Sequence, residues 1–328
     1  MYNFGGESVL SDTFDAIEMN SRANYYDIEK LCQHYFDKIG TAYHLCTPEN
    51  HPIIFRNSDD FKRGMSIMGI IAKAHRKVQI LTFELMNNHL HVIIIGSPED
   101  IEEFFRCLKS TLEKNLYTDG TRLDLKGLTM QLYEITSLEN LRNVIAYTNR
   151  NGAVVDRHVS PYTYPWGANK YFFNTEAKCR FEERKRKITV REKRLLTKSH
   201  KYDDVKDLYM VDGYVCPLSF CDMTYAENLF RDTRHYFTKV SRHIESYDEI
   251  AKMIGEQIYY TDDDLYSILC SWAAKKYDCK VPSQLQKDQK LEMARMLRWE
   301  YNADIKKIGR LLKMDIAVLA AVFGNTTQ

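Results

Sequence analysis

The chain has no apolar run approaching the roughly 20 residues that a membrane-spanning helix needs. Its opening residues, Met1-Tyr2-Asn3-Phe4-Gly5-Gly6-Glu7, lack the basic-then-apolar pattern of a secretory signal. No membrane partner and a cytoplasmic location are the resulting expectations. None of the eight cysteines forms a C-x-x-C pair. Their scatter argues against a zinc knuckle or a disulfide framework and leaves them as reduced, small hydrophobes. Charge of one sign is scarce too, with a formal net charge of +1. What is present is ordinary for a globular protein: 328 residues, 44% hydrophobic and 28% charged, enough for two domains or one large one.

The near-neutral mean hides a local excess. Ten Lys or Arg stand against three Asp or Glu from Lys178 to Lys198, so the remainder is net negative. The densest part is Arg184-Lys185-Arg186-Lys187, followed by Arg191, Lys193 and Arg194. Such a block is either a phosphate footprint or a solvated helix face.

The stretch Asn87-Asn88-His89-Leu90-His91-Val92-Ile93-Ile94-Ile95-Gly96 carries the chemistry. As a strand, it turns His89 and His91 to one face, because side chains alternate. Its apolar neighbours on both faces suggest a central strand. Two histidines in such a run are most simply packed core residues, and the surrounding chain has to raise them above that. Ala42–Cys46 reads as a first strand, with His44 as a core residue, and Pro48, Asn50 and Pro52 as the loop after it. Ser58 is a candidate cap for a helix to about Ala74. Val78–Met86 and His89–Ile95 read as a hairpin about Asn87-Asn88. Ser97-Pro98-Glu99-Asp100 starts a helix to about Tyr117. Leu128–Ile135 is a fourth strand, and Ser137 caps a helix with Leu138, Leu141, Val144 and Ile145 inward. The order predicts an α+β, ferredoxin-like sandwich, an antiparallel sheet with helices on one face, and then an extra helix. On that helix Tyr147 and Asn151 are four apart, hence neighbours, and Gly152 is a natural stop.

These residues resemble the REP-associated tyrosine transposases, single-tyrosine HUH transposases of the insertion-sequence type. The resemblance rests on Tyr43-His44, on Leu85-Met86-Asn87-Asn88-His89-Leu90-His91-Val92-Ile93, on Tyr147–Asn151 and on Pro161-Tyr162-Thr163-Tyr164-Pro165-Trp166. It covers roughly residues 42–173. The chain departs from the family pattern at Asn87, where a proline is common, and at Gly152, where Asn-Pro is common. The resemblance implies a metal-dependent DNA strand transferase acting on single-stranded or hairpin DNA. Tyr147 would be the nucleophile, forming a 5′-phosphotyrosine, and His89, His91 and Asn151 would hold magnesium or manganese. By softness two imidazoles and an amide also suit zinc or nickel. The family includes dimers and monomers, so a homodimer stays open.

The expected organisation is an N-terminal extension over 1–40, a catalytic HUH domain over 41–175, a basic linker over 176–204 and a mostly helical region over 205–328. Beside a nuclease-like site, Arg150, Arg184, Lys185, Arg186, Lys187, Arg191, Lys193 and Arg194 are candidate DNA contacts. Three short helices are predicted at Leu291–Tyr301, Asp304–Leu312 and Asp315–Phe323, either a helix-turn-helix within 287–323 or a protein-binding or purely structural helical bundle. Their core would be Leu291, Ala294, Leu297, Ile305, Ile308, Leu311, Leu312, Ile316, Leu319 and Val322. The last helix has no Lys or Arg, which makes it a poor reader of DNA. The alternative function is a DNA-binding regulator that keeps the same fold without catalysis.

Overall fold

A computed structural model of the protein describes residues 25–48, 53–118, 121–152, 160–242, 260, 262–299, 301 and 303–323. Residues 1–24 of the expected extension, and Asn50 and Pro52 of the expected loop, lie outside them. The chain forms two compact units, one of residues 1–149 with 165–242, the other of 150–164 with 243–328. Among the described residues no helix is long and apolar enough to cross a membrane.

The first unit is α+β, as expected. Its central sheet has four strands, β1 (Ala42–Cys46), β2 (Gln79–Leu85), β3 (Leu90–Ile95) and β6 (Gln131–Ile135), in the order β2-β3-β1-β6 with every neighbour antiparallel. The run Val92-Ile93-Ile94-Ile95 is β-branched, suits a pleated surface and is buried throughout. A two-residue hairpin, β4 (Tyr117–Thr118) and β5 (Thr121–Arg122), precedes β6 in sequence.

Helix starts follow local capping. In α2 (Ser58–Ala74) the cap is Asn57, not Ser58: its side chain accepts from the Asp59 and Asp60 N–H groups, and the two acids face the positive helix end. The next helix, α3 (Pro98–Asn115), starts at Ser97, whose hydroxyl accepts from the Asp100 N–H, with proline in the first turn. Ser137 caps α4 (Leu138–Thr148) in the same way, through the Asn140 N–H. Helices α2 and α3 pack together on one sheet face. A Cβ on Gly64 of α2 would sit 3.1 Å from Leu85, and Leu85 points away from the face that Glu84 occupies. On that other face lies α4, so the sheet is covered on both sides.

The segment expected as a basic linker is folded into this unit. It makes α5 (Thr175–Arg184), β7 (Arg186–Lys187) and α6 (Val190–Thr197). β7 pairs with β8 (Tyr209–Val211), which pairs with β9 (Tyr214–Val215). Helix α6 packs on α2 and α3. Residues 205–242, expected in the helical C-terminal region, complete the first unit with β8, β9, α7 (Met223–Asn228) and α8 (Thr233–Arg242). Helix α1 (Tyr25–Lys38) also packs against α4 and α7.

The second unit is helical where described: α9 (Asp262–Tyr277), α10 (Lys287–Trp299), α11 (Ile305–Leu312) and α12 (Ile316–Phe323). Its core holds Ala294, Leu297, Ile308, Leu312 and Leu319 as expected, joined by Leu265, Leu269, Met293 and Leu285. Ile316 and Val322, expected inside, are exposed, because α12 turns only Leu319 fully inward.

Arg142 on α4 is fully buried. Its guanidinium donates to Glu29 of α1 at 2.6 and 3.2 Å and to the Leu229 carbonyl at 2.6 Å, so one cation fixes two segments to the helix. Replacing Glu29 with Gln leaves that cation short of a counter-charge. The expected loss is about 1–2 kcal/mol in urea unfolding, below the ~3–5 of a fully buried pair because Glu29 is 37% exposed.

Candidate functional site

Register places the site. Directly opposed residues in antiparallel strands share a face. One row across the sheet reads Glu84, His91, Cys46, Gln131, and the next reads Thr82, Ile93, His44, Tyr133. A polar face results, buried on the three strands other than β6, on a sheet whose opposite face is mainly apolar. His89 falls just before β3, in the turn, and still reaches the group: its ring lies 5.0 Å from the His91 ring, at 90°.

Tyr147, in the last turn of α4, packs on this face. Its ring centroid is 5.8 Å from that of His91 and 6.2 Å from that of His44, edge-on to both. Tyr147 is 5% exposed, His89 5%, and His44 and His91 are fully buried. The structure therefore brings together His89, His91 and Tyr147 of the expected set, with His44 added.

The imidazoles are held neutral. His44 and His91 share a hydrogen bond of 3.1 Å between Nε2 and Nδ1, and His89 Nδ1 lies 2.8 Å from the Asn88 side-chain oxygen. An amide oxygen only accepts, so His89 donates from Nδ1 and its lone pair is on Nε2. Burial pulls His44 down to about 3 and His89 to about 4. His91 lies well below the usual histidine value through burial, reinforced by the other two rings.

The helix of Tyr147 ends sooner than expected. It stops at Thr148, with Asn149 as its last cap, and a turn follows before Asn151 and Gly152 become helical again. Asn151 is therefore not one turn beyond Tyr147 on the same helix, and it belongs to the second unit. Asn149 is the physical reason. Its side chain accepts from the Thr82 hydroxyl at 2.5 Å and donates to the Tyr236 hydroxyl at 2.8 Å. Tyr236 donates to Asn169, whose amide donates at 2.8 Å to the Asn149 carbonyl, the group a continuing helix would have used. All four residues are buried and the ring of bonds closes on itself. It fixes the end of the tyrosine helix to β2 and α8. Nor does Gly152 stop a helix: it is itself helical and lies against the Tyr164 ring, where a Cβ would meet ring carbons at 2.4 Å.

The Pro165-Trp166 segment also has a structural role. Leu85 N–H donates to the Trp166 carbonyl at 2.8 Å and Ala168 N–H to Phe83 at 3.1 Å, so the segment lines the outer edge of β2. Gly167 permits this, since a Cβ there would lie 2.9 Å from the Phe83 carbonyl oxygen. Trp166 stacks on Phe61 at 4.9 Å and 9°.

The expected DNA contacts fare unevenly. Arg184 pairs with Asp212 at 2.8 Å, Arg194 with Asp203 at 2.7 Å, and Lys185 with Glu182. Arg186 pairs with Glu192 at 2.7 Å and holds that carboxyl down to about 2. Lys193 is buried, donating to the Asp203 and Val205 carbonyls, and is not a surface cation. Arg150 is 7% exposed and lies in the second unit. Lys187 and Arg191 are exposed. Charge counting alone misses these pairings, because the acids that neutralise the block include Asp203 and Asp212, beyond its end.

Glu84 has no place in the expected site, and His44, expected as a core residue, borders it as well. Glu84 stands opposite His91, and His44 touches both His91 and Tyr147. The hairpin itself carries a signal for Glu84: counting outward from the Asn87-Asn88 turn pairs Leu85 with Leu90 and Glu84 with His91. Among the described residues, the His, Cys, Asp or Glu trio whose donor atoms lie within 4.8 Å of one another is elsewhere: His75, Glu103 and Cys107. In comparisons with known proteins, no family model, curated protein or solved structure matches the chain.

The buried imidazoles imply a pH dependence. An unfolded histidine titrates near 6.5, whereas His44 and His89 in the folded chain take a proton only near 3 and 4. The unfolded state thus binds more protons between those values, and stability falls as pH falls from 6.5 towards 4. Urea unfolding in chelator should show a plateau above pH 7 and a steady loss from 6.5 to 4.5. A flat profile would mean the rings are not held neutral.

Proposed function

We propose that the chain is a metal-dependent DNA strand transferase, cleaving and rejoining single-stranded or hairpin DNA through Tyr147. The observation that carries this reading is the packing of the Tyr147 ring against His91 and His44, 5.8 and 6.2 Å between centroids, with His89 beside them. The sheet order β2-β3-β1-β6, all antiparallel, supports a ferredoxin-like sandwich of the HUH kind, the fold the family resemblance implies. Nucleophile and imidazoles come from different elements, as a site assembled by tertiary structure requires.

The tyrosine oxygen attacks phosphorus and the 3′ oxygen leaves. The phenolic proton is given up and the leaving oxygen gains one, so a 5′-phosphotyrosine and a free 3′-hydroxyl form. The ester retains the bond energy, and attack by a 3′-hydroxyl reverses the step to rejoin a strand. His89 and His91 fit a divalent ion because both are neutral, with lone pairs to give. His44 Nε2 lies 3.1 Å from His91 Nδ1, and in the tautomer with the proton on that Nδ1 the His91 lone pair is on Nε2, where a metal would take it. A magnesium or manganese ion bound there supplies charge stabilisation at the scissile phosphate. Asn151 remains the family-like third ligand in sequence, while Glu84 is the carboxylate opposite His91 in the first unit. Exposed Lys187 and Arg191 are the basic-block side chains best placed to meet phosphate.

A second reading, a DNA-binding regulator without catalysis, draws on the 5% exposure of Tyr147. A labelled single-stranded hairpin, manganese and the purified full chain separate the two. Catalysis gives a covalent protein–DNA adduct that survives denaturation and is lost with chelator or in Tyr147→Phe. His89→Ala or His91→Ala lowers its yield about 10²-fold or more, the scale on which electrostatic stabilisers act. DNA retention without any adduct, across hairpins from the gene's own flanks, would sink the catalytic reading in favour of the regulator.

A further inference from the structure

The geometry points to a second metal site, distinct from the histidine face: we propose that His75, Glu103 and Cys107 bind a zinc-class cation with water completing the shell. The site joins the end of α2 to the middle of α3. Glu103 and Cys107 are four apart on α3 and so share one face, and His75 is the C-terminal cap of α2. The three donor atoms lie within 4.8 Å of one another. Cys107 Sγ is 3.4 Å from Glu103 Oε1. A tetrahedral zinc with bonds of about 2.3 Å to sulfur and about 2.0 Å to oxygen sets those two atoms about 3.5 Å apart, so this edge of the tetrahedron already exists.

The outer contacts favour the same reading. His75 Nδ1 lies 2.8 Å from the Ile71 carbonyl oxygen. A carbonyl only accepts, so Nδ1 carries the proton and Nε2 carries the lone pair. Anchoring a ligating histidine through its other nitrogen to a backbone carbonyl is the usual outer-shell arrangement at metal sites. Phe104 holds the ring from its edge, with centroids 6.1 Å apart. Glu103 is oriented by Arg106, whose Nε donates to Oε2 at 2.9 Å, while Oε1 is the oxygen beside the sulfur. The same guanidinium reaches Oε1 through Nη2 at 2.7 Å, and that one bond gives way when a cation arrives. The Lys201 ammonium, 3.8 Å from Cys107 Sγ, moves off as well. Binding releases the thiol proton to solvent, leaving a thiolate on the metal.

Donor chemistry selects the ion. One sulfur, one imidazole and one carboxylate suit zinc and cobalt, and not magnesium, which takes oxygen and demands an octahedron. Cys107 is buried, with His75 and Glu103 half-buried around it, so the site opens to solvent on the side where water binds. With α2 tied to α3, the cation staples the helix pair that backs the sheet.

Cobalt(II) titrated into the full-length, fully reduced protein tests this. The wild type should develop a thiolate-to-metal charge-transfer band in the near ultraviolet, saturating as this one site fills. The band should persist in the His89→Ala/His91→Ala double variant, vanish in Cys107→Ser and need at least tenfold more cobalt in His75→Ala. Zinc should raise the thermal midpoint of the His89→Ala/His91→Ala double variant and not of that variant carrying Cys107→Ser as well. Should Cys107→Ser fold poorly, zinc-edge X-ray absorption of the wild type replaces it, with one sulfur expected at about 2.3 Å. No charge-transfer band in the wild type, a band that survives Cys107→Ser, one lost with His89 and His91, or a zinc shell without sulfur overturns the proposal.

Discussion

His44 and His91 meet across the pairing of β1 with β3, in a hydrogen bond of 3.1 Å sealed from water. Two imidazoles in the interior are tolerable only if neutral and partnered. That condition shapes what lies around them. The sheet face carrying them also carries Thr82, Glu84, Gln131 and Tyr133, so it cannot be capped by an all-apolar helix. Helix α4 meets it with Tyr147, and ends at Asn149 in a closed ring of polar contacts with Thr82, Tyr236 and Asn169. Arg142 and the Glu139–Lys239 pair hold the same helix from its other side, through α1 and α8. The tyrosine is thus placed by a helix anchored at both ends.

Anchoring of this kind is also the limit of what patterns of residues reveal. The hairpin of β2 and β3, the caps at Ser97 and Ser137 and the helices of α4, α10, α11 and α12 are local events, set by turn chemistry, capping and periodicity. They were legible in the chain. So were His89, His91 and Tyr147, because alternation and hydrophobic spacing govern which way a side chain points. The end of α4 was not, because the bonds that stop it come from Asn169 and Tyr236, distant in sequence. Nor was the folding of residues 176–204. Their charge resembles a linker until Glu192, Asp203 and Asp212 are seen to close on Arg186, Arg194 and Arg184. Asn57 outcompetes Ser58 as a cap for a local reason, since its longer side chain reaches two N–H groups at once.

The two candidate metal sites contrast in design. The histidine face is deep, built on adjacent strands, and next to Tyr147 on a helix. The His75, Glu103 and Cys107 group is near the surface, built on two helices, with sulfur among its donors and no nucleophile beside it. A hard ion working on phosphate suits the first, and a borderline ion holding two helices together suits the second. A chelator would act on both, so a metal dependence of the proposed strand transfer would not by itself say which site carries it.

The proposed strand transfer turns on the identity of the attacking oxygen. Trypsin cleaves after Arg142 and Arg150, releasing Tyr147 within residues 143–150. Digesting the covalent protein–DNA adduct and sequencing the modified peptide by mass spectrometry reads that oxygen. A nucleotide 5′-phosphate is expected on Tyr147 in this peptide. The same modification on any other of the 22 tyrosines, or unmodified 143–150 from a protein that has cleaved its DNA, would contradict it.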